Sequence, residues 1–118
     1  MIGVIYIKEF ELQPLRIHCG WTIKYNTFSE YDPQKDSPEY SAELCEDLLQ
    51  LENKNLLIDL GWYPEFDIRG SYTLRLVDIT KENPFDYPLE QFKSKSKNEI
   101  ICKIEHWTNY DFFKKHLR

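Results

Sequence analysis

The sequence predicts one α+β domain over residues 1–118, a mostly antiparallel sheet of about five strands packed by two helices. Three observations lead there. Several short segments alternate apolar and polar residues, as strands with one covered face do. Two longer segments place apolar residues at helical spacing. A chain of 118 residues is long enough for a single core without disulfides or metal to hold it.

In chain order, residues 2–7, "IGVIYI", are β-branched and aromatic and read as a first strand. After Pro14, "LRIHCGWTIKYN" sets Leu15, Ile17, Cys19, Trp21, Ile23 and Tyr25 on one face at period two. That is a half-buried second strand, with Gly20 marking a bulge. "TFSEYDPQKDSPEYSAE" is rich in turn residues, and Ser37 is placed to cap a helix with Pro38 at its first position. Over "SPEYSAELCEDLLQLEN", Tyr40, Leu44, Leu48 and Leu51 fall at helical spacing, so this segment reads as the first helix. Glu39, Glu43 and Asp47 would then stack one turn apart, which costs an isolated helix roughly 0.2–0.5 kcal/mol per pair.

Residues 55–61, "NLLIDLG", read as a buried strand. Residues 71–79, "SYTLRLVDI", alternate with Tyr72, Leu74 and Leu76 on one face. Between them "WYPEFDIRG" suits a longer hairpin loop, turned by Pro64 and Gly70. "YPLEQFKSKS" supplies a last strand, entered through Pro84 and Pro88. The closing segment "SKNEIICKIEHWTNYDFFKKHLR" opens with Ser96 and Glu99 at capping-box spacing and continues with an Ile100, Ile104, Trp107 stripe. Lys114, Lys115 and Arg118 suit the negative end of its dipole. The predicted order is β-β-α-β-β-β-α.

Charge is unevenly spread. The formal net charge is -5, yet from Glu30 to Asp67 eleven acids face only Lys35 and Lys54. From residue 91 to 118 seven bases face three acids. A negative block repels phosphate backbones and attracts basic surfaces, which argues against direct nucleic-acid binding by this block. The opening "MIGVIYIKEFEL" is interrupted by Lys8, Glu9 and Glu11 and lacks the marks of a secretory leader or a membrane span. The three cysteines, Cys19, Cys45 and Cys102, are odd in number and scattered, so they read as small buried thiols of a cytoplasmic protein.

Catalytic signals are weak. His18, His106 and His116 have no His or Cys partner at metal-ligand spacing, and no Gly-rich phosphate loop or nucleophile elbow occurs. No cofactor is called for, and the chain does not read as an enzyme. Asp59, at the end of an apolar strand, is the acid most open to perturbation, though such a residue more often caps a turn or faces solvent. What remains is a binding surface. Aromatics and Arg are enriched at interface hot spots, and Trp62, Tyr63 and Phe66 lie among Glu65, Asp67 and Arg69. Packing of Trp62 under the sheet edge is the competing reading. The predicted partner-binding residues are Asp32, Asp36, Glu39, Glu43, Glu46, Asp47, Trp62, Tyr63, Glu65 and Asp67.

The run "LIDLGWYPEFDIRGSYTLRLV", a Pro-containing link and then "FKSKSKNEIICKIEHW" resemble small immunity proteins of bacterial polymorphic-toxin systems, above all those of contact-dependent growth inhibition. The resemblance covers roughly residues 17–107 and is strongest at "DLGWYP". It implies a cytosolic antidote that binds one cognate toxin domain, usually a nuclease, in a 1:1 complex, with no catalysis, cofactor or membrane. An acidic block suits such a task, because a nuclease groove must be basic. Two other readings stay open. One is an adaptor or assembly subunit using the same surface. The other is a small hydrolase pairing Asp59 with His18 or His106.

Overall fold

The structure is a computed structural model that describes residues 9–117. Five antiparallel strands form one sheet in simple meander order: β1 Thr22–Asn26, β2 Leu49–Asn53, β3 Leu56–Tyr63, β4 Ser71–Asp78 and β5 Glu90–Ser94. Two helices follow, α1 Lys97–Trp107 and the one-turn α2 Tyr110–Phe113. The α+β class is as the sequence predicts. The strand expected over residues 2–7 lies outside the described residues.

Pairing register explains the core. Leu49 opposes Leu60, Leu51 opposes Ile58, Leu60 opposes Leu74, and Trp62 opposes Tyr72. Directly opposite residues share a face, so these side chains make one apolar layer. Ile100, Ile104 and Trp107 of α1 close over it in the same buried cluster. The Trp62 and Tyr72 rings meet edge to face at 4.8 Å, a favoured aromatic geometry.

The helix expected over 37–53 is replaced by a short 3-10 helix, Pro38–Glu43, and by β2. Its start is as predicted: Ser37 accepts from the Glu39 amide and Pro38 sits in the first turn. The reversal comes from pairing. Leu49 and Leu51 satisfy the alternation of a strand, while Leu48 and Leu51 satisfy the spacing of a helix, and as β2 Leu49 and Leu51 join a tight hairpin to β3 across Lys54 and Asn55. That pairing gives the backbone of both strands hydrogen-bond partners, which a helix here would deny to β3.

The long strand expected over 15–26 is also shortened. Gly20 has φ +99 in a turn, and only Thr22–Asn26 pairs. The residues on either side of the turn lie against the end of α1, where the Trp21 Nε1 donates to the Thr108 carbonyl at 3.0 Å and the His18 amide donates to Thr108 Oγ1 at 3.4 Å. Ile23 and Tyr25 are therefore exposed on the edge strand, and the register irregularity falls between them.

Ser96 caps α1 through the Glu99 amide at 3.3 Å, as its spacing predicts. Its own amide donates to Ser94 Oγ at 2.9 Å, so the cap is tied back to β5. Asn109 then caps α2 and splits the closing segment in two.

Candidate functional site

The predicted acids divide into those that build loops and those that face outward. Asp36 Oδ2 accepts from the Asp32 amide at 2.8 Å, and Asp32 Oδ1 accepts from the Gln34 amide at 2.9 Å. Both carboxylates shape the 32–36 turn. Asp67 is committed more fully. Its carboxylate takes the Arg69 amide, Nε and guanidinium at 2.9, 3.0 and 3.0 Å. The Arg69 hydrogen bonds hold its pKa below the ordinary carboxylate value. Asp67 therefore organises the hairpin loop and offers little free charge.

Glu39, Glu46, Asp47 and Glu65 are exposed and Glu43 is half-buried. Backbone bonds draw most of them to one edge. The Trp62 amide donates to the Cys45 carbonyl, and the Phe66 amide to the Leu44 carbonyl, each at 2.8 Å. The Glu46 amide reaches Glu65 Oε1 at 3.4 Å, and the Tyr63 hydroxyl donates to the Glu46 carbonyl at 3.3 Å. Segment 44–48 thus runs beside the hairpin. It approaches so closely that a Cβ on Gly61 would run into the Glu46 carbonyl oxygen.

The acids of this edge act on two neighbouring groups. Burial, followed by Glu65, Glu43 and Asp47, raises the Cys45 thiol. Burial lowers the Lys97 ammonium to about 8, against the pull of Asp32, Asp36, Glu30 and Glu43. Glu43 acts on both groups. Lys97 itself is buried, donating to the Ser29 carbonyl and, at 3.2 Å, to Gln13 Oε1.

Trp62 is not part of that surface. It is 1% exposed, and its Nε1 donates to the Asp67 carbonyl at 2.7 Å. The aromatic presented at the loop is Phe66, 51% exposed with φ +62. A bulky residue in the left-handed region is strained, and such strain collects where function requires a side chain in place. Tyr63 is half-buried on the opposite sheet face from Trp62.

Compared with known protein families, curated proteins and solved structures, the chain matches none.

The sheet face away from α1 carries a second constellation. Pairing places Tyr25, Gln50, Asp59, Arg75 and Gln91 in one row across all five strands. Gln50 Nε2 donates to Asp59 Oδ1, and Arg75 Nε to Gln91 Oε1, both at 3.0 Å. The Arg75 guanidinium lies 5.6 Å from the Tyr63 ring centre. Asp59 is 5% exposed, where a solvent-facing or capping acid was expected. Burial raises its pKa, the Gln50 hydrogen bond opposes this, Asp47 adds to the rise, and Arg75 on the neighbouring strand works against it. Only the register of four strand pairings creates this row, so no local signal in the sequence marks it.

The hydrolase pairing has no geometric basis. His106 lies on α1, over the apolar face, and His18 lies beside the end of that helix. Asp59 is on the other face. The three thiols are free, and Cys19 and Cys102 are exposed rather than buried, one at the Gly20 turn and one on the outer side of α1. Among the described residues, no group of three or more His, Cys, Asp or Glu is placed to hold a metal ion. Nor is any helix among them long and apolar enough to cross a membrane.

Proposed function

We propose that this chain is an immunity protein, which binds one cognate toxin domain, a nuclease, in a 1:1 complex and occupies its basic substrate groove. The observation that carries the reading is the acidic edge at the β3–β4 hairpin, where the segment bearing Glu46 and Asp47 is bonded to the hairpin and the Glu46 amide to Glu65. A fixed negative surface steers a basic partner into encounter. Phe66, exposed beside Glu65, is the aromatic anchor that would slow release. Free thiols, two of them exposed, suit action in a reducing cytosol.

Calorimetric titration against the toxin-like domain encoded next to this chain, at low and high salt, tests the reading. Nanomolar 1:1 binding that weakens as salt rises is the expected result. Absence of binding at both salt concentrations removes the proposal.

A further inference from the structure

After α2 the chain makes a short 3-10 turn, Lys114–His116, and Leu117 follows. Three contacts seat this segment. The Leu117 amide donates to the Lys114 carbonyl at 3.1 Å, the Leu117 side chain packs against the core, and Lys115 pairs with Glu90 at 3.6 Å. His116 lines a recess of about 30 Å³ together with Lys54, Asn55 and Leu56 at the β2–β3 turn, Asp78 at the end of β4, and Leu117.

The Nε2 of His116 is shut off from solvent and has no hydrogen-bond partner among the described residues, the one buried side-chain nitrogen or oxygen among them in that position. A neutral imidazole tolerates this, because one of its two nitrogens carries no proton and acts only as an acceptor. An imidazolium carries a proton on both nitrogens, so ionisation would bury a charged donor with no acceptor among the described residues. The recess has room for one or two water molecules, at about 10–15 Å³ each, and none for a hydrated counter-ion.

The charges around the ring do little to compensate. Lys54 stands in the recess, and Lys115 and Lys81 act on the ring as like charges. Glu90 favours the charged ring, but it is paired with Lys115. Asp78 accepts from the Thr80 amide at 3.0 Å and from its hydroxyl at 2.6 Å. Burial outweighs the rest and holds the imidazole below its ordinary value of 6.5.

We propose that His116 is an acid-released latch: its neutral imidazole seats segment 114–117 against the β2–β3 turn, and protonation unseats it. A released ring binds a proton more tightly than a seated one, so release is favoured as pH falls below 6.5. The opening constant grows by up to about tenfold per pH unit until the seated ring itself titrates, and then levels off. The latch lies where β3 begins, at Leu56, whereas the acidic edge adjoins its far end at Tyr63, so the two are independent.

The test is NMR of the whole chain between about pH 7.5 and 5. It follows the His116 ring nitrogens and the exchange protection of the Leu117 amide, corrected for the intrinsic pH dependence of exchange. Protection should fall about fivefold or more across that range, while the amides of β3 keep theirs. His116→Gln, which gains no proton, should remove the change, whatever its own level of protection. A His116 ring that titrates at or above 6.5 overturns the latch. So does Leu117 protection that stays constant across the range, or that falls equally in His116→Gln.

Discussion

The indole Nε1 of Trp62 donates to the carbonyl oxygen of Asp67 at 2.7 Å, so the largest side chain of the β3–β4 hairpin closes the loop that follows it. The same ring packs on Tyr72 in the core. Trp62→Ala removes both contacts and should cost about 3–5 kcal/mol. Trp62→Phe keeps most of the packing and removes one of the two hydrogen bonds to the Asp67 carbonyl, which still accepts from the Gly70 amide at 2.9 Å, at about 0.5–1.5 kcal/mol. Urea unfolding of the two variants checks the order.

Phe66 separates stability from binding. Its left-handed backbone costs about 1–2 kcal/mol, and its ring is half exposed. Phe66→Gly should leave stability unchanged or raise it, by up to about 1 kcal/mol. The same change should weaken the proposed toxin complex tenfold or more through faster dissociation. Chemical unfolding together with surface-immobilised binding kinetics reads both effects.

The rim acids should act on encounter. Neutralising Glu39, Glu43, Glu46 and Asp47 together to their amides should lower the association rate at least tenfold at low salt, and little at high salt. Stopped-flow association across a salt series is the measurement. An unchanged rate would dismiss the electrostatic mechanism.

Lys97 sets a pH dependence. Its folded pKa, about 8, lies below the ordinary 10.5 because burial disfavours the ammonium. The folded protein therefore loses this proton before the unfolded chain does, and stability rises as pH climbs from 8 toward 10.5. The gain across that window is on the order of 3 kcal/mol, the pull of the neighbouring acids being already contained in the folded value. Urea midpoints at pH 7.5 and 9.5 should show the rise in the native chain and lose it in Lys97→Met.

Asp59 runs in the opposite direction, at lower pH. Its folded pKa is raised, chiefly by burial, so its contribution is favourable when protonated and is lost as pH rises through the folded value. Asp59→Asn should hold stability at pH 7 equal to or above that of the native chain, and flatten its change between about pH 4 and 7. Thermal unfolding at both pH values decides it.

Strands β3 and β4 and the Ser96 cap were legible because their signals are local: alternation along "SYTLRLVD", and a serine three residues before a glutamate. Segment 37–53 was not, because Leu44, Leu48 and Leu51 fit a helix while Leu49 and Leu51 fit a strand, and only pairing with β3 decides between them. The rim acids were visible as a charge block, but which of them are tied into turns depends on backbone contacts such as Asp32 to Asp36. Trp62 and Phe66 exchanged roles for a related reason. Adjacent strand residues point to opposite faces, and the strand continues through Tyr63 before the loop begins.

The close passage of segment 44–48 past Gly61 has a consequence for motion. The amides of Leu48, Trp62 and Phe66 are cross-links between rim and hairpin, so neither can open while the other stays closed. Their hydrogen exchange should be slow and should follow one common opening free energy. An arriving partner would meet a surface already frozen in place, and any change that loosened it would surface first as a protein that unfolds more readily.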